Sequence, residues 1–402
     1  MWYDKLSMKP ILIGLSPNTE TDDVRLARRE LLHPAGWTTG SIPATQLHGL
    51  PTAWTGSGRQ ALYLLLKALG VGSGDEVIIQ AFTCLAVPAP VTWLGATPVY
   101  ADIDPATYNL TPETVAARIS PRTKAIVVQH TFGIPARIKE LRALATQHHL
   151  ILIEDCAHAL GATVDTQPVG TFGDAAIFSF GRDKVISSVF GGAVVSRDHA
   201  LIEKIQADIA TLPLPPKRWI KQQLMHPVIM SFVKRWYFTG GIGKAVLVVS
   251  QRLGLLGKAV TADERRGGTP THVTHRPVPA LFCLFEHQFT KLDRYTARRR
   301  QIVQRYHNAF DGPAGLLRFP VRVADPARVR RQALQHGMML GDWYDAPIVP
   351  AAADEKQFGY QHSLCPTAED AAAHVINLPT YPTMTDEQVE KVIMFMKPYV
   401  NS

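Results

Sequence analysis

The chain has 402 residues, 46% of them apolar and 19% charged, with a formal net charge of +8. That length buries a large core and predicts two domains. No apolar run reaches membrane-spanning length, and there is no internal repeat or low-complexity tract, so an integral membrane protein and a solenoid are both disfavoured.

The opening, MWYDKLSMKPILIGL, lacks the apolar core and cleavage site of a secretory signal. The four cysteines, at 84, 156, 283 and 365, show neither metal-ligand nor disulfide spacing. A reducing, cytoplasmic setting without a metal site is expected.

TGSGRQALYLLLKALG (55–70) reads as a glycine turn opening an apolar helix. Free N–H groups and the helix dipole make such a start an anion site, and Gly56 and Gly58 permit close backbone approach. An ordinary N-cap by Ser57 is the plainer alternative. The stretch also fits GxGxxA, a dinucleotide fingerprint. Against that, QLHGLPTAW before it is a poor buried strand, and Asp75 and Glu76 fall in a turn.

Short apolar runs follow at 76–80, 97–101, 124–129, 150–154, 175–180 and 192–196, with helical stretches at 57–69, 111–119 and 137–148. This alternation predicts an α/β fold with a mostly parallel sheet covered on both faces, binding ligands at strand C-terminal ends. Near residue 290 the pattern changes to a basic helix (290–310) and an apolar stretch (316–322). The division expected is a large domain over 1–289 and a smaller C-terminal α/β domain over 290–402.

Two strand ends carry the chemistry. LILIEDCAHALGA (150–162) ends its apolar run near Asp155, and AAIFSF (175–180) leads to Lys184 in SFGRDK. A lysine amine can form a Schiff base with the aldehyde of pyridoxal 5'-phosphate, and a carboxylate can keep the ring nitrogen protonated so that the ring is an electron sink. Singly, either residue is more often a solvated surface charge.

Taken together, SGRQAL (57–62), GDEVIIQAFTCLAV (74–87), GATPVYADID (95–104), EDCAHALGA and SFGRDK with Gly191-Gly192 resemble the DegT/StrS family of sugar aminotransferases, fold-type-I pyridoxal-phosphate enzymes. THR (274–276) with Gln288, and CPTAEDAAAHVINLPTYPTMTDEQVEKV (365–392), echo later family elements. The resemblance implies Lys184 as Schiff-base residue and proton shuttle. It implies Asp155 at the ring nitrogen, His158 against the ring or its hydroxyl, and Gly58, Arg59 and Ser179 at the phosphate. Thr274 would reach the phosphate from the neighbouring subunit of a homodimer. The implied reaction moves an amino group, usually from glutamate as amino-acid donor, onto a nucleotide-linked keto-sugar.

Several positions depart from the family pattern. Arg59 stands in place of Thr, Phe190 in place of an acid, and Thr274-His275 in place of Asn-Tyr. The ring-stacking aromatic falls on Cys84, with Phe82 two residues earlier, so either residue could take that contact. The family's sugar-dehydratase branch carries His where this chain has Lys184, which argues against that activity. A membrane-docked regulatory or scaffold protein is a rival from another class, disfavoured by the retained Lys184–Asp155 pair.

Residues 209–262 are the least family-like, within an expected helical insertion spanning 209–268. They hold eight Lys and Arg and no acid, interleaved with Trp219, Phe232, Trp236, Tyr237 and Phe238. A basic amphipathic helix of this kind can lie peripherally in an anionic membrane surface; packing on its own domain or on a dimer partner is the plainer reading. Nucleic-acid binding is not expected, since no recognised motif accompanies the charge.

Overall fold

The computed structural model describes residues 10–43 and 46–400. A seven-stranded sheet forms its centre: β1 (Thr52–Thr55), β2 (Glu76–Gln80), β3 (Thr97–Ala101), β4 (Thr123–Gln129), β5 (Ile151–Asp155), β6 (Ala175–Ser179) and β7 (Gly192–Ser196). Their order in the sheet is β1-β7-β6-β5-β4-β2-β3. Pairings from β6 through to β3 are parallel, while β7 runs antiparallel to both β6 and β1. The strand pattern expected from the sequence is present. TAWT, within a stretch judged a poor strand, nevertheless forms β1 at the sheet edge.

The strands read as unbroken apolar runs because both faces are buried. Val77 and Ile79 of β2 enter one core with Leu65 and Leu66, whereas Ile78 enters another with Ile126, Val128 and Leu152. The helices include α1 (Thr21–Leu32), α2 (Gly58–Ala68), α3 (Ile138–Gln147), α4 (His199–Thr211), α5 (Lys217–Trp236), α6 (Ile242–Arg252), α7 (Pro279–Phe289), α8 (Leu292–His307) and α9 (Asp386–Val400). Of these, α2, α3 and α4 pack directly on the sheet.

Near the C-terminus, β8 (Arg318–Arg322) pairs antiparallel with β9 (Val375–Pro379). Ile302, Tyr306, Phe319, Ile376, Leu378 and Val392 fill a separate core there, and Ile11 joins it through a short parallel pairing of Ile11–Leu12 with Met338–Met339. A second short pairing, Ile348–Val349 with Thr83–Cys84, ties this C-terminal part to the loop after β2.

Within the insertion, α5 packs on α1 and α6 packs on α5. Ile220 and Leu224 of α5 enter a core with Ala27, Leu281 and Leu284. Trp219 meets Phe190 edge-on, ring centroids 5.3 Å apart. The aromatic at position 190 therefore has a packing reason: it receives the inserted helix. Among the described residues no helix is long and apolar enough to cross a membrane.

Candidate active site

The strand order brings Asp155 and Lys184 to the same end of the sheet. Asp155 is the last residue of β5, buried, with Oδ1 accepting from the Ala157 N–H at 2.9 Å. Burial raises its pKa, and the Ala157 N–H, Lys184 and His130 oppose that rise. Glu154 beside it is spent on structure: it accepts from the N–H groups of Gly170, Phe172 and Gly173, and it meets His130 at 3.1 Å.

Lys184 sits on the loop between β6 and β7. Asn18 donates to the carbonyls of Lys184 and Val185, at 2.6 and 2.9 Å, and Arg299 in turn donates to Asn18. Gln288 accepts from the Ser187 N–H at 2.8 Å. Desolvation brings the Lys184 amine down to about 8; Cys84 and Asp155 oppose the shift and Arg318 adds to it. An amine at that value is partly neutral at physiological pH.

The phosphate cradle expected at the start of α2 is closely built. A Cβ at Gly58 would lie 2.7 Å from the Ser179 Cβ, and one at Gly192 would lie 2.5 Å from the Ser57 carbonyl carbon. Only glycine allows α2 to approach β6 and β7 so closely. Ser57 caps the helix by accepting from the Gln60 N–H at 3.2 Å. Ser179 lies at the end of β6, and its Oγ and the Lys184 Cγ both flank Gly181.

His158 is buried, and its Nδ1 accepts from the Phe132 N–H at 3.2 Å. The ring proton therefore sits on Nε2, 3.5 Å from the Tyr344 hydroxyl. Desolvation, then the Lys184 and Arg318 charges, hold its pKa well below the ordinary histidine value.

The structure also brings in residues the sequence did not mark. Trp343 is half-buried; Lys184 Nζ lies 4.9 Å from its ring centroid and the Arg318 guanidinium 3.8 Å. Arg318 is buried without an ion-paired carboxylate among the described residues, and its Nε has no hydrogen-bond partner. Nothing local in GDWYDAP (341–347) or LRFPVR (317–322) marks these two side chains, because their placement depends on how the C-terminal part docks.

Other expected residues are placed less simply. Phe82 is fully buried against Tyr108, Phe132 and Tyr344, whereas Cys84 is partly exposed and its sulfur is among the groups that act on the Lys184 amine. Arg59 is committed elsewhere: it is ion-paired with the fully buried Glu264 and donates to the Ala259 carbonyl at 3.1 Å. A buried carboxylate requires such a partner, so Arg59 is not a free cation awaiting a phosphate. Thr274 is exposed, its hydroxyl donating to the Thr271 carbonyl at 2.8 Å. Gln60 clamps its neighbours Val273 and His275 to α2 of the same chain.

The sequence pattern described as the DegT/DnrJ/EryC1/StrS aminotransferase family matches residues 47–211 and 283–397. This chain belongs to that family. It is 30% identical to the UDP-N-acetyl-3-dehydro-α-D-glucosamine 3-aminotransferase of Acidithiobacillus ferrooxidans, over 86% of this chain and 82% of that protein. A GDP-perosamine synthase of Vibrio cholerae is 43% identical over 37% of this chain and 40% of its own length. The solved aminotransferase TlmJ of Streptoalloteichus hindustanus superposes with a TM-score of 0.70 at 25% identity, covering 94% of this chain and 96% of that one.

As a DegT-family protein, the chain is a pyridoxal-phosphate-dependent transaminase. The residues present fit that cofactor. A desolvated amine, a buried carboxylate with one oxygen uncommitted to the backbone, and a hydroxyl beside a helix N-terminus form the donor set. When bound, pyridoxal phosphate supplies an electrophilic carbon and an electron sink. Asp155, Lys184 and His158 are the side chains that would face it: a carboxylate for the ring nitrogen, an amine able to take up and return a proton, and an imidazole with an Nε2–H to offer.

Proposed function

We propose that this transaminase aminates the keto group of a nucleotide-linked sugar, with Lys184, Asp155 and His158 as its catalytic residues. The observation that carries the reading is the Lys184 amine, brought to about 8 opposite the buried Asp155. The names of the Acidithiobacillus and Vibrio relatives support a nucleotide-linked sugar substrate. Gly58 and Ser179 are the phosphate-holding residues of this reading, and Cys84 is the side chain nearer the ring. Glutamate is the amino donor, and the buried, unpaired Arg318 beside Lys184 is the cation for its carboxylate.

The working unit in this reading is a homodimer. Support comes from Thr274, whose side chain is exposed while its backbone neighbours are fixed; its hydroxyl would turn from the Thr271 carbonyl to a phosphate of the adjoining subunit. The four cysteines are all free, which supports a cytoplasmic setting.

The test is a pair of half-reactions. Glutamate added to the cofactor-loaded protein should convert the cofactor to its amine form. A UDP-linked 3-keto-N-acetylglucosamine should then restore the starting absorbance. No response to glutamate or to any other amino acid overturns the reading.

A further inference from the structure

Helix α6 lies in the internal stretch, residues 212–282, that the family pattern leaves unmatched. Its inner side meets α5. Gly243 and Ser250 are buried, and a Cβ at Gly243 would fall 2.6 Å from the Val233 carbonyl oxygen. At about 100° per residue, Ile242, Val249 and Leu253 line one flank of the exposed arc, and Arg252, Val248 and Lys244 continue it around the side away from α5. Ile242, Val248, Val249 and Leu253 are 46%, 45%, 51% and 65% exposed. Phe232 on α5 and Leu255 just after α6 extend the set. Six of the eleven exposed large apolar residues among the described ones therefore fall within residues 232–255. A concentration of this kind marks an interaction surface, whereas scattered exposed residues do not.

The charge around it has one sign. Lys217, Arg218, Lys221, Arg235, Lys244, Arg252 and Lys258 are exposed, and residues 209–262 contain no Asp or Glu. No ion pair engages any of these seven among the described residues. Lys244 and Arg252 belong to α6 itself, with Arg252 on its outer side. Lys234 is different: it is turned inward, donating to the Ser16 carbonyl at 2.9 Å.

We propose that the outer face of α6 is a peripheral docking surface for an anionic lipid bilayer. Its apolar side chains would enter the acyl boundary while Lys244, Arg252 and Arg235 meet lipid phosphates. At 11 residues the helix is roughly 17 Å long, too short to span a bilayer and suited to lying in its plane. Charge decides against a second copy of the chain as occupant. A two-fold contact would set these cations against their own equivalents with no carboxylate between them, whereas anionic headgroups supply the missing charge.

The experiment is co-sedimentation of the cofactor-loaded full chain with phosphatidylcholine vesicles, with and without phosphatidylglycerol, across a salt series. Binding is expected to the anionic vesicles alone and to weaken as salt rises. Val249→Asp with Leu253→Asp, and separately Lys244→Glu with Arg252→Glu, should each lower vesicle affinity by about tenfold or more. All four side chains are exposed, so the cofactor absorbance and transaminase rate should be unchanged. Three results overturn the proposal: no preference for anionic vesicles at low salt, binding unaffected by either double variant, or an apolar-to-Asp variant that changes the oligomeric state while vesicle binding persists. The last would assign the face to contacts between copies.

Discussion

The imidazole of His158 lies parallel to the indole of Trp343, with centroids 5.0 Å apart and planes 9° apart. One residue follows β5; the other comes from the C-terminal part of the chain. The same indole carries the Arg318 guanidinium and faces Lys184 Nζ. Trp343 is thus one contact through which the C-terminal part meets the strand ends, covering His158 and Arg318 and lying against the partly buried Lys184.

The first prediction concerns that contact. Trp343→Ala removes two cation–π contacts, each contributing about 0.5–2 kcal/mol, and lets water reach Lys184. With less desolvation, the Lys184 pKa should rise from about 8 toward its ordinary value. The pH at which apo-protein captures pyridoxal phosphate at half its maximal rate should move upward. Trp343→Phe, which keeps a ring, should move it less. An unchanged pH profile in Trp343→Ala would show that the indole does not set the environment of the amine.

A second prediction uses the sign of the Lys184 shift directly. The unfolded chain protonates this amine near 10.5 and the folded apo-protein near 8. Between those values the unfolded state holds more protons, so apo-protein stability should rise with pH across that window. The penalty is fully present below about 8 and gone above 10.5. Lys184→Met should abolish this slope in a denaturant series run from pH 8 to 10.5. It should also prevent borohydride from fixing the cofactor to the chain. Fixation at another lysine would displace Lys184 from its role.

Much of this site was legible because its parts follow strands. Asp155 ends a run of apolar residues buried on both faces, and Lys184 follows another, so one sheet topology brings them together. What was hidden came from distant chain. Arg318 and Trp343 reach the site only through docking of the C-terminal part, and Asn18 reaches the Lys184 carbonyl from before α1. The strand Thr52–Thr55 was obscured because it is short and at the sheet edge, where one antiparallel neighbour suffices. In the insertion, the absence of acids was plain in the sequence. Which aromatics turn inward was not: Trp219 packs on Phe190, and Phe232 stays exposed.

Arg318 yields a third prediction. Its burial without an ion-paired carboxylate among the described residues makes it costly to the fold and useful to an anionic ligand. Arg318→Met keeps an apolar stem against Trp343 and removes the charge. KM for glutamate should rise by about a hundredfold, the loss of a charge-assisted hydrogen-bonded pair of about 3 kcal/mol. KM for the keto-sugar should change little, and unfolding free energy should hold or increase. A rise in the sugar KM instead would move Arg318 to the other substrate.

A fourth prediction concerns Asp155. Asp155→Asn preserves shape and the bond from Ala157 N–H while removing the charge proposed to face the ring nitrogen. Cofactor should still bind, and the glutamate half-reaction should slow by orders of magnitude, since a neutral amide cannot stabilise a protonated ring nitrogen. Stopped-flow absorbance would report the rate. A near-normal rate would mean that another group supplies the charge.

The last prediction separates the two roles open to Arg59. Its guanidinium pairs with Glu264, which is fully buried and also accepts from the Thr261 N–H at 3.3 Å. Arg59→Ala should therefore cost about 3–5 kcal/mol of stability, because it leaves a buried carboxylate without a counter-charge. Glu264→Gln in that background removes the stranded charge and should recover most of the loss. The double variant then tests the cofactor. Where Arg59 acts only as the partner of Glu264, the double variant binds pyridoxal phosphate within a few-fold of the parent. Where Arg59 also holds the phosphate, affinity falls while stability recovers. The closed ion pair favours the first outcome, and equilibrium binding of the cofactor to the two variants decides between them.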